Sequence, residues 1–381
     1  MSRKLNLPGG AVTLEAGPAP ARGTAWNRIA YAAAHVVADP MQECDPWLDA
    51  PVDWERTLAF REHLWSLGFG VAEAMDTAQR GMGLDWPTSL ELIQRSTALA
   101  KAGGHLIASG AGTDHLPPDD DVTIDDVIRA YEEQCEAVEA TGSRVILMAS
   151  RALVKAAKGP DEYARVYSRV LSGLSQPAIL HWLGEMFDPA LEGYWGADNH
   201  MAAMETAIAV IEDNAEKVDG IKVSLLSEEK EVAMRRRLPQ GVAMYTGDDF
   251  NYPKLIAGDE RGYSHALLGI FDPIAGAAAR ALSQLAEGDT EGYNRTFDPT
   301  VPLSRHIFKA PTRFYKTGVV FLAYLNGHQD HFTMIGGQES ARSTLHLADM
   351  VRMANSAGLF PDPDKAARRA RLFFGTRGIA A

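Results

Sequence analysis

Asp219-Gly220-Ile221-Lys222-Val223-Ser224-Leu225-Leu226 is the stretch on which the reading of this chain turns. It has the length and apolar content of a buried strand, with a lysine in its middle. Side chains alternate along a strand, so Ile221, Val223 and Leu225 share one face and Gly220, Lys222 and Ser224 share the other. Such a strand suits a barrel: the apolar face meets outer helices and the lysine enters the mouth. A lysine held there can lose its proton and attack a carbonyl, because burial disfavours the ammonium. The alternative is a lysine that reaches out to a carboxylate.

The flanking sequence supplies the barrel. Apolar runs rich in Val, Ile and Ala recur at 28–37, 70–75, 105–109, 144–149, 177–183, 220–226, 241–246 and 262–270. Helical segments fall between them at 53–66, 88–102, 124–141, 161–173, 199–214 and 228–237, with a short one at 252–258 and an eighth at 274–288. Eight strands alternating with helices give a parallel sheet, and eight is the number that closes a TIM (β/α)8 barrel. The runs are near-continuously apolar, as strands covered on both faces require. An open doubly wound sheet would need a glycine-rich turn after the first strand, and Ala38-Asp39-Pro40-Met41-Gln42 has none. The expected organisation is an irregular lead-in over 1–27, a barrel over 28–295 and a C-terminal helical extension over 296–381, with amphipathic helices at 317–325 and 338–357.

Composition narrows the function. The 381 residues are 46% hydrophobic and 23% charged, an ordinary globular composition. A formal net charge of −13 argues against a nucleic-acid binder. Cys44 and Cys135 form no closely spaced pair, so neither a zinc ribbon nor a disulfide framework is expected. The basic N-terminus has no apolar segment after it, and the longest apolar stretch, 319–325, is too short to span a bilayer. A cytoplasmic protein is expected.

Several motifs resemble the dihydrodipicolinate synthase/N-acetylneuraminate lyase family of class I aldolases, in a divergent branch. The clearest is Asp219-Gly220-Ile221-Lys222 followed by the strand Gly241-Val242-Ala243-Met244-Tyr245-Thr246 and Gly247-Asp248-Asp249. Ile107-Ala108-Ser109-Gly110-Ala111-Gly112 is similar to the family's third strand and its turn, and Leu84 to Ile93 resembles the helix start after its threonine motif. The resemblance implies an aldolase barrel in which Lys222 forms a Schiff base. It also marks departures. Where the family has G-T-T-G-E, this chain reads Asp76-Thr77-Ala78-Gln79-Arg80, keeping one threonine. His181 stands at the place of the family's proton-shuttle tyrosine, and Met186 near that of its carboxylate-binding arginine. These changes imply imine chemistry on a different substrate rather than dihydrodipicolinate synthesis.

The candidate roles follow. Lys222 is the nucleophile and His181 the shuttle, since an imidazole titrates near neutrality. Thr77 could hold a carbonyl or carboxylate oxygen, or simply build a turn. Arg151 could clamp a carboxylate with its guanidinium fork, or pair with a loop acid. Glu73 alternates with Val71 and Met75; inward it would bind substrate or set the charge of Lys222, outward it would pair with a helix cation. Asp248 and Asp249 suit hydroxyl binding, or are a solvated loop. Asp114-His115 and His328-Gln329-Asp330-His331 raise a metal-dependent aldolase or isomerase using Glu73, Asp114 or His115, and a non-catalytic metabolite-binding barrel is a third reading. The expectation is a class I lyase, aldolase or dehydratase with no cofactor and no metal. Its substrate is a 2-oxo acid or sugar-derived carbonyl compound. No nucleic acid or membrane partner is expected, and the C-terminal helices suggest a homo-dimer or homo-tetramer.

Overall fold

The computed structural model describes residues 2–19 and 25–381. Its strands are β1 (Lys4–Leu7), β2 (Gly10–Thr13), β3 (Ala30–Ala33), β4 (Gly70–Glu73), β5 (Ile107–Ala111), β6 (Arg144–Leu147), β7 (Ala178–Leu183), β8 (Val218–Ser224), β9 (Ala243–Thr246) and β10 (His265–Leu268). Strands β3 to β10 are parallel, pair in chain order and close, β10 returning to β3. Six of the eight lie inside the expected runs; β5 is set two residues later and β8 two earlier. The protein is thus a (β/α)8 barrel with a C-terminal set of helices.

The pleat sorts the strand residues as the alternation requires. Tyr31, Ala33, Ala72, Ala108, Ile146, Ile179, Tyr245 and Leu267 pack together inside the ring. Val71, Val145, Leu180, Ile221 and Val223 join the larger core between ring and helices. The helix Trp54–Ser66 starts at the side-chain cap of Asp53, and Ile124–Thr141 at a capping box formed by Thr123 and Asp126; such caps satisfy the free N–H groups of a first turn.

The ends of the chain differ from expectation. The 1–27 segment carries the β1–β2 hairpin, and its residues 1 and 20–24 lie outside those described. The hairpin docks on the extension: Arg3 pairs with Asp364 at 2.7 Å, and Arg352 donates to the carbonyls of Pro8 and Gly10. The extension holds Thr290–Phe297, Val301–Ile307, Tyr315–Asn326, Thr344–Ser356 and Pro363–Thr376. Tyr315–Asn326 is not amphipathic; every residue from Tyr315 to Leu325 is buried, because the helix lies between the barrel mouth and its neighbouring helices. No described helix is long and apolar enough to cross a membrane.

Glu73 takes the outward of its two expected positions, which corrects its reading as a substrate-binding residue. Ala72 faces the ring, so Glu73 points out to the helix Trp54–Ser66, where Arg61 grips both its oxygens at 2.8 and 2.9 Å. Both side chains are fully buried. Arg61 also donates to the carbonyls of His35 and Thr57. Burial alone would raise the Glu73 pKa, but the Arg61 charge and hydrogen bonds outweigh it and hold the carboxyl below its ordinary value. Glu73 fastens the first barrel helix to β4 and does not reach the mouth. Removing one partner of a buried pair strands the other charge. Glu73→Gln should therefore cost about 3–5 kcal/mol in urea denaturation, and replacing Arg61 and Glu73 together by Met should recover part of it. A Gln variant as stable as the parent would show that the pair does not hold the helix.

Candidate active site

Lys222 stands on β8 in register with His181 on β7 and Tyr245 on β9. It is 7% exposed. Among the described residues its Nζ has no hydrogen bond and no carboxylate at ion-pair distance. Gly247, at the end of β9, leaves the room it occupies: a Cβ there would lie 2.8 Å from Lys222 Cε and would also strike Ser224. Burial lowers the Lys222 pKa below the ordinary lysine value, and the nearby acids Asp76 and Asp249 oppose only part of the shift. The expectation that Lys222 faces the mouth holds, and the alternative of a carboxylate-paired lysine does not.

His181 is 1% exposed. Its Nε2 lies 3.3 Å from Ser224 Oγ, and its Nδ1 is buried without a partner among the described residues. Burial, then the Lys222 charge, pushes its pKa well down, so the imidazole beside the lysine is neutral. Above it opens a cavity of about 80 Å3 whose lining includes Asp76, Arg80, Asp114, Arg151, His181 and Asp188.

Asp76 is the acid that the sequence reading passed over. It follows β4, and no hydrogen bond engages its carboxylate among the described residues. An acid just past the C-terminal end of a buried strand was the available signal. Thr77 beside it is buried, and its Oγ1 is 2.8 Å from the hydroxyl of Tyr315, the first residue of the extension helix Tyr315–Asn326. Burial drives the Tyr315 pKa well up, with Asp76 adding to it. No spacing in the sequence links 77 to 315. Both β4 and β8 leave the barrel through a non-glycine residue in the left-handed region, Ala74 at φ 51° and Leu226 at φ 50°; strain of this kind persists where a loop must be aimed.

The other acids are more committed. Asp248 accepts from the Phe250 and Asn251 N–H groups and from the Asn251 amide, so it builds its own turn rather than a hydroxyl site. Asp249 accepts the Ile270 N–H at 2.9 Å, tying the loops after β9 and β10. Burial raises its pKa, and the Lys222 charge opposes that rise. Arg80 pairs with Asp114 at 2.7 Å and donates to the Gly110 carbonyl, locking the loops after β4 and β5. Arg151 lies on the cavity wall, with its Nε on Asp188 at 2.5 Å.

The histidine motifs do not converge. His115 bonds Gln134 at 2.7 Å, His331 Nδ1 accepts the Thr333 N–H, and His328 packs against His63 with the rings tilted by 42°. Among the described residues no group of three or more His, Cys, Asp or Glu could hold a metal ion.

The fold is a barrel of the dihydrodipicolinate synthase type. The structure matches the prophage protein YagE of Escherichia coli K12, which belongs to that family and was solved with pyruvate, at TM-score 0.67 and 11% identity, over 88% of this chain and 100% of that one. It matches the chloride-inhibited synthase of Acinetobacter baumannii, also with pyruvate, at TM-score 0.64 and 14% identity, over 87% and 99%. The synthase of Aquifex aeolicus matches at TM-score 0.65 and 12% identity, over 87% and 98%. At such identities the likeness is one of fold. By sequence the chain belongs to the family described as protein of unknown function DUF993, which matches residues 11–379. No curated protein matches it.

The Lys222 environment predicts a reactive amine. Competitive reductive methylation should give a half-reactivity pH below 10.5, the ordinary lysine value. Asp76→Asn removes the acid that most favours the ammonium and should move that point lower still. A half-reactivity pH at or above 10.5 would contradict the site's electrostatics.

Proposed function

We propose that this protein is a Schiff-base lyase of the aldolase or dehydratase kind, acting on a small 2-oxo acid or sugar-derived carbonyl compound through Lys222. The observation that carries the reading is an amine without an ion-pair partner, inside the mouth of a closed barrel and beside a cavity.

The free amine adds to the carbonyl carbon, and the oxygen takes a proton to give a carbinolamine. Loss of water leaves an iminium. That cation is an electron sink, so a C–H or C–C bond at the neighbouring carbon can break with its electron pair drawn toward nitrogen; the enamine formed by C–H loss can then expel a hydroxyl from the next carbon, which takes the C–O pair and a proton and leaves as water. Water then adds to the imine carbon, releasing the product carbonyl and restoring the amine. His181, neutral and beside Lys222, suits the base that takes and returns the proton. Asp76 suits the acid that steadies the cationic intermediate. The paired hydroxyls of Thr77 and Tyr315 suit binding of the substrate oxygen. Arg151 offers the contact for a carboxylate that Met186 lacks. Asp249 is retained as a neighbour of Lys222, and Asp248 as the support of its loop.

Two of the similar structures hold pyruvate, which makes it the first probe to try. The two unpaired cysteines fit a reducing cytoplasm. A homo-oligomer is part of the reading, with Met41, Trp47 and Leu48, 88%, 74% and 83% exposed, as the apolar surface to be covered.

Sodium borohydride added with pyruvate or another 2-oxo acid should reduce the imine to a stable secondary amine. Mass spectrometry should then find the adduct on the peptide containing Lys222. Lys222→Ala and Lys222→Arg should abolish it. A substrate that turns over without an adduct, or a Lys222→Ala enzyme that stays active, would refute the reading. His181→Phe should leave Tm within a few degrees and lower the rate by about two to four orders of magnitude, the usual worth of a general acid–base. Near-normal turnover would remove His181 from the chemistry.

A further inference from the structure

Arg151 uses only one edge of its guanidinium on the protein. Its Nε donates to Asp188 Oδ2, and the other Asp188 oxygen accepts the Ala190 N–H at 3.1 Å. Nη1 and Nη2 have no acceptor among the described residues, although the side chain is 43% exposed at the cavity wall. Both lie against Gly81, at φ 70°, where an added Cβ would be 3.7 Å from each. The free edge of the fork thus lies at contact distance from the Gly81 turn.

Next to the same turn is a second buried lysine. Lys316 is 4% exposed. Its Nζ donates to the Arg313 carbonyl at 3.0 Å and touches Met82 Sδ at 3.3 Å. No carboxylate lies at ion-pair distance from it among the described residues. Asp76 and Asp188 are its acidic neighbours, and Arg151 and Arg313 its basic ones. Asp188 is already taken by Arg151, and Asp76 is shared with Lys222. An ammonium held out of water with so little compensation is costly unless a ligand supplies the missing charge.

We propose that Arg151 and Lys316 together bind an anionic group of the substrate, remote from the carbonyl that Lys222 attacks, so that the substrate is an oxo compound bearing a second carboxylate or a phosphate. The open guanidinium fork fits either group. The Gly81 turn follows β4, which stands opposite β8 in the ring of eight, so the anion contact lies across the mouth from Lys222. The carbonyl half of this inference rests on the Lys222 reading; the anion site does not. Burial lowers the Lys316 pKa to about 8, which fits an ammonium awaiting a counter-charge.

The test has two arms. In the first, calorimetry measures inorganic phosphate and glutarate binding to the whole protein, to Lys316→Met and to Arg151→Gln. At least one anion should bind, and each substitution should weaken it by tenfold or more. The anion that binds distinguishes phosphate from carboxylate. In the second, borohydride trapping on Lys222 is titrated with pyruvate, 2-oxoglutarate and glycerone phosphate. The probe with the matching distal group should label at a concentration at least tenfold below pyruvate, and both substitutions should collapse that ratio toward one. Anion binding indifferent to both substitutions overturns the inference, as does trapping without preference for a distal anion. An adduct on Lys316 instead of Lys222 overturns it as well. If no probe is trapped, the Lys222 reading fails, and the anion arm alone still supports or removes the Arg151–Lys316 site.

Discussion

A lysine inside a protein, with no carboxylate in contact, is costly to protonate, and the barrel keeps Lys222 in that place by backbone pairing. Strand β8 is hydrogen-bonded to β7 over the residues opposite Lys222 and to β9 on the other side. The lysine cannot rotate out to a partner without breaking both ladders. Its outward neighbours, Ile221 and Val223, are buried against the helices, so apolar packing outside holds the lysine within. Gly247 completes the constraint by leaving space for Cε where any larger residue would clash.

The charges around the mouth divide into those spent on structure and those left free. Arg61 and Glu73 satisfy each other behind β4, and Arg80 and Asp114 satisfy each other between two loops. Asp248 is consumed by its own turn. Asp76, the outer edge of Arg151, Lys316 and Lys222 remain. Pairing the first group fixes where the loops stand; of the second group, Asp76 and Arg151 line the cavity and the two lysines are buried close by. In the proposed reading, a site arranged in this way would be organised before a substrate arrives, which is what electrostatic catalysis requires.

The extension is part of the proposed site. Tyr315 and Lys316 open a helix buried along almost its whole length. The hairpin of β1 and β2 backs the later helices through Arg3–Asp364 and the contacts of Arg352. Changes in the first dozen residues are thereby connected, through packed helices, to two side chains at the barrel mouth.

Local rules were enough for the eight strands, the helices between them and the direction of Lys222. Strand periodicity and the apolar content of doubly covered strands act within a few residues, and one sequence displays them. The hairpin is also legible, in the alternation of Leu5 and Leu7 before Pro8-Gly9-Gly10. So is the last helix, announced by Asp362 as cap and Pro363 in its first turn. Which face Glu73 chose depended on Arg61 being one helix away and facing it. The partner of Thr77 lay 238 positions further along the chain. Whether Asp76, Arg151 and Lys316 were spent or free depended on every neighbouring side chain at once. The sequence by itself determined the barrel and the inward lysine, because backbone pairing and side-chain alternation are local. Only the tertiary structure decided which charges meet at the mouth, because ion pairing and burial join residues that the chain order keeps far apart.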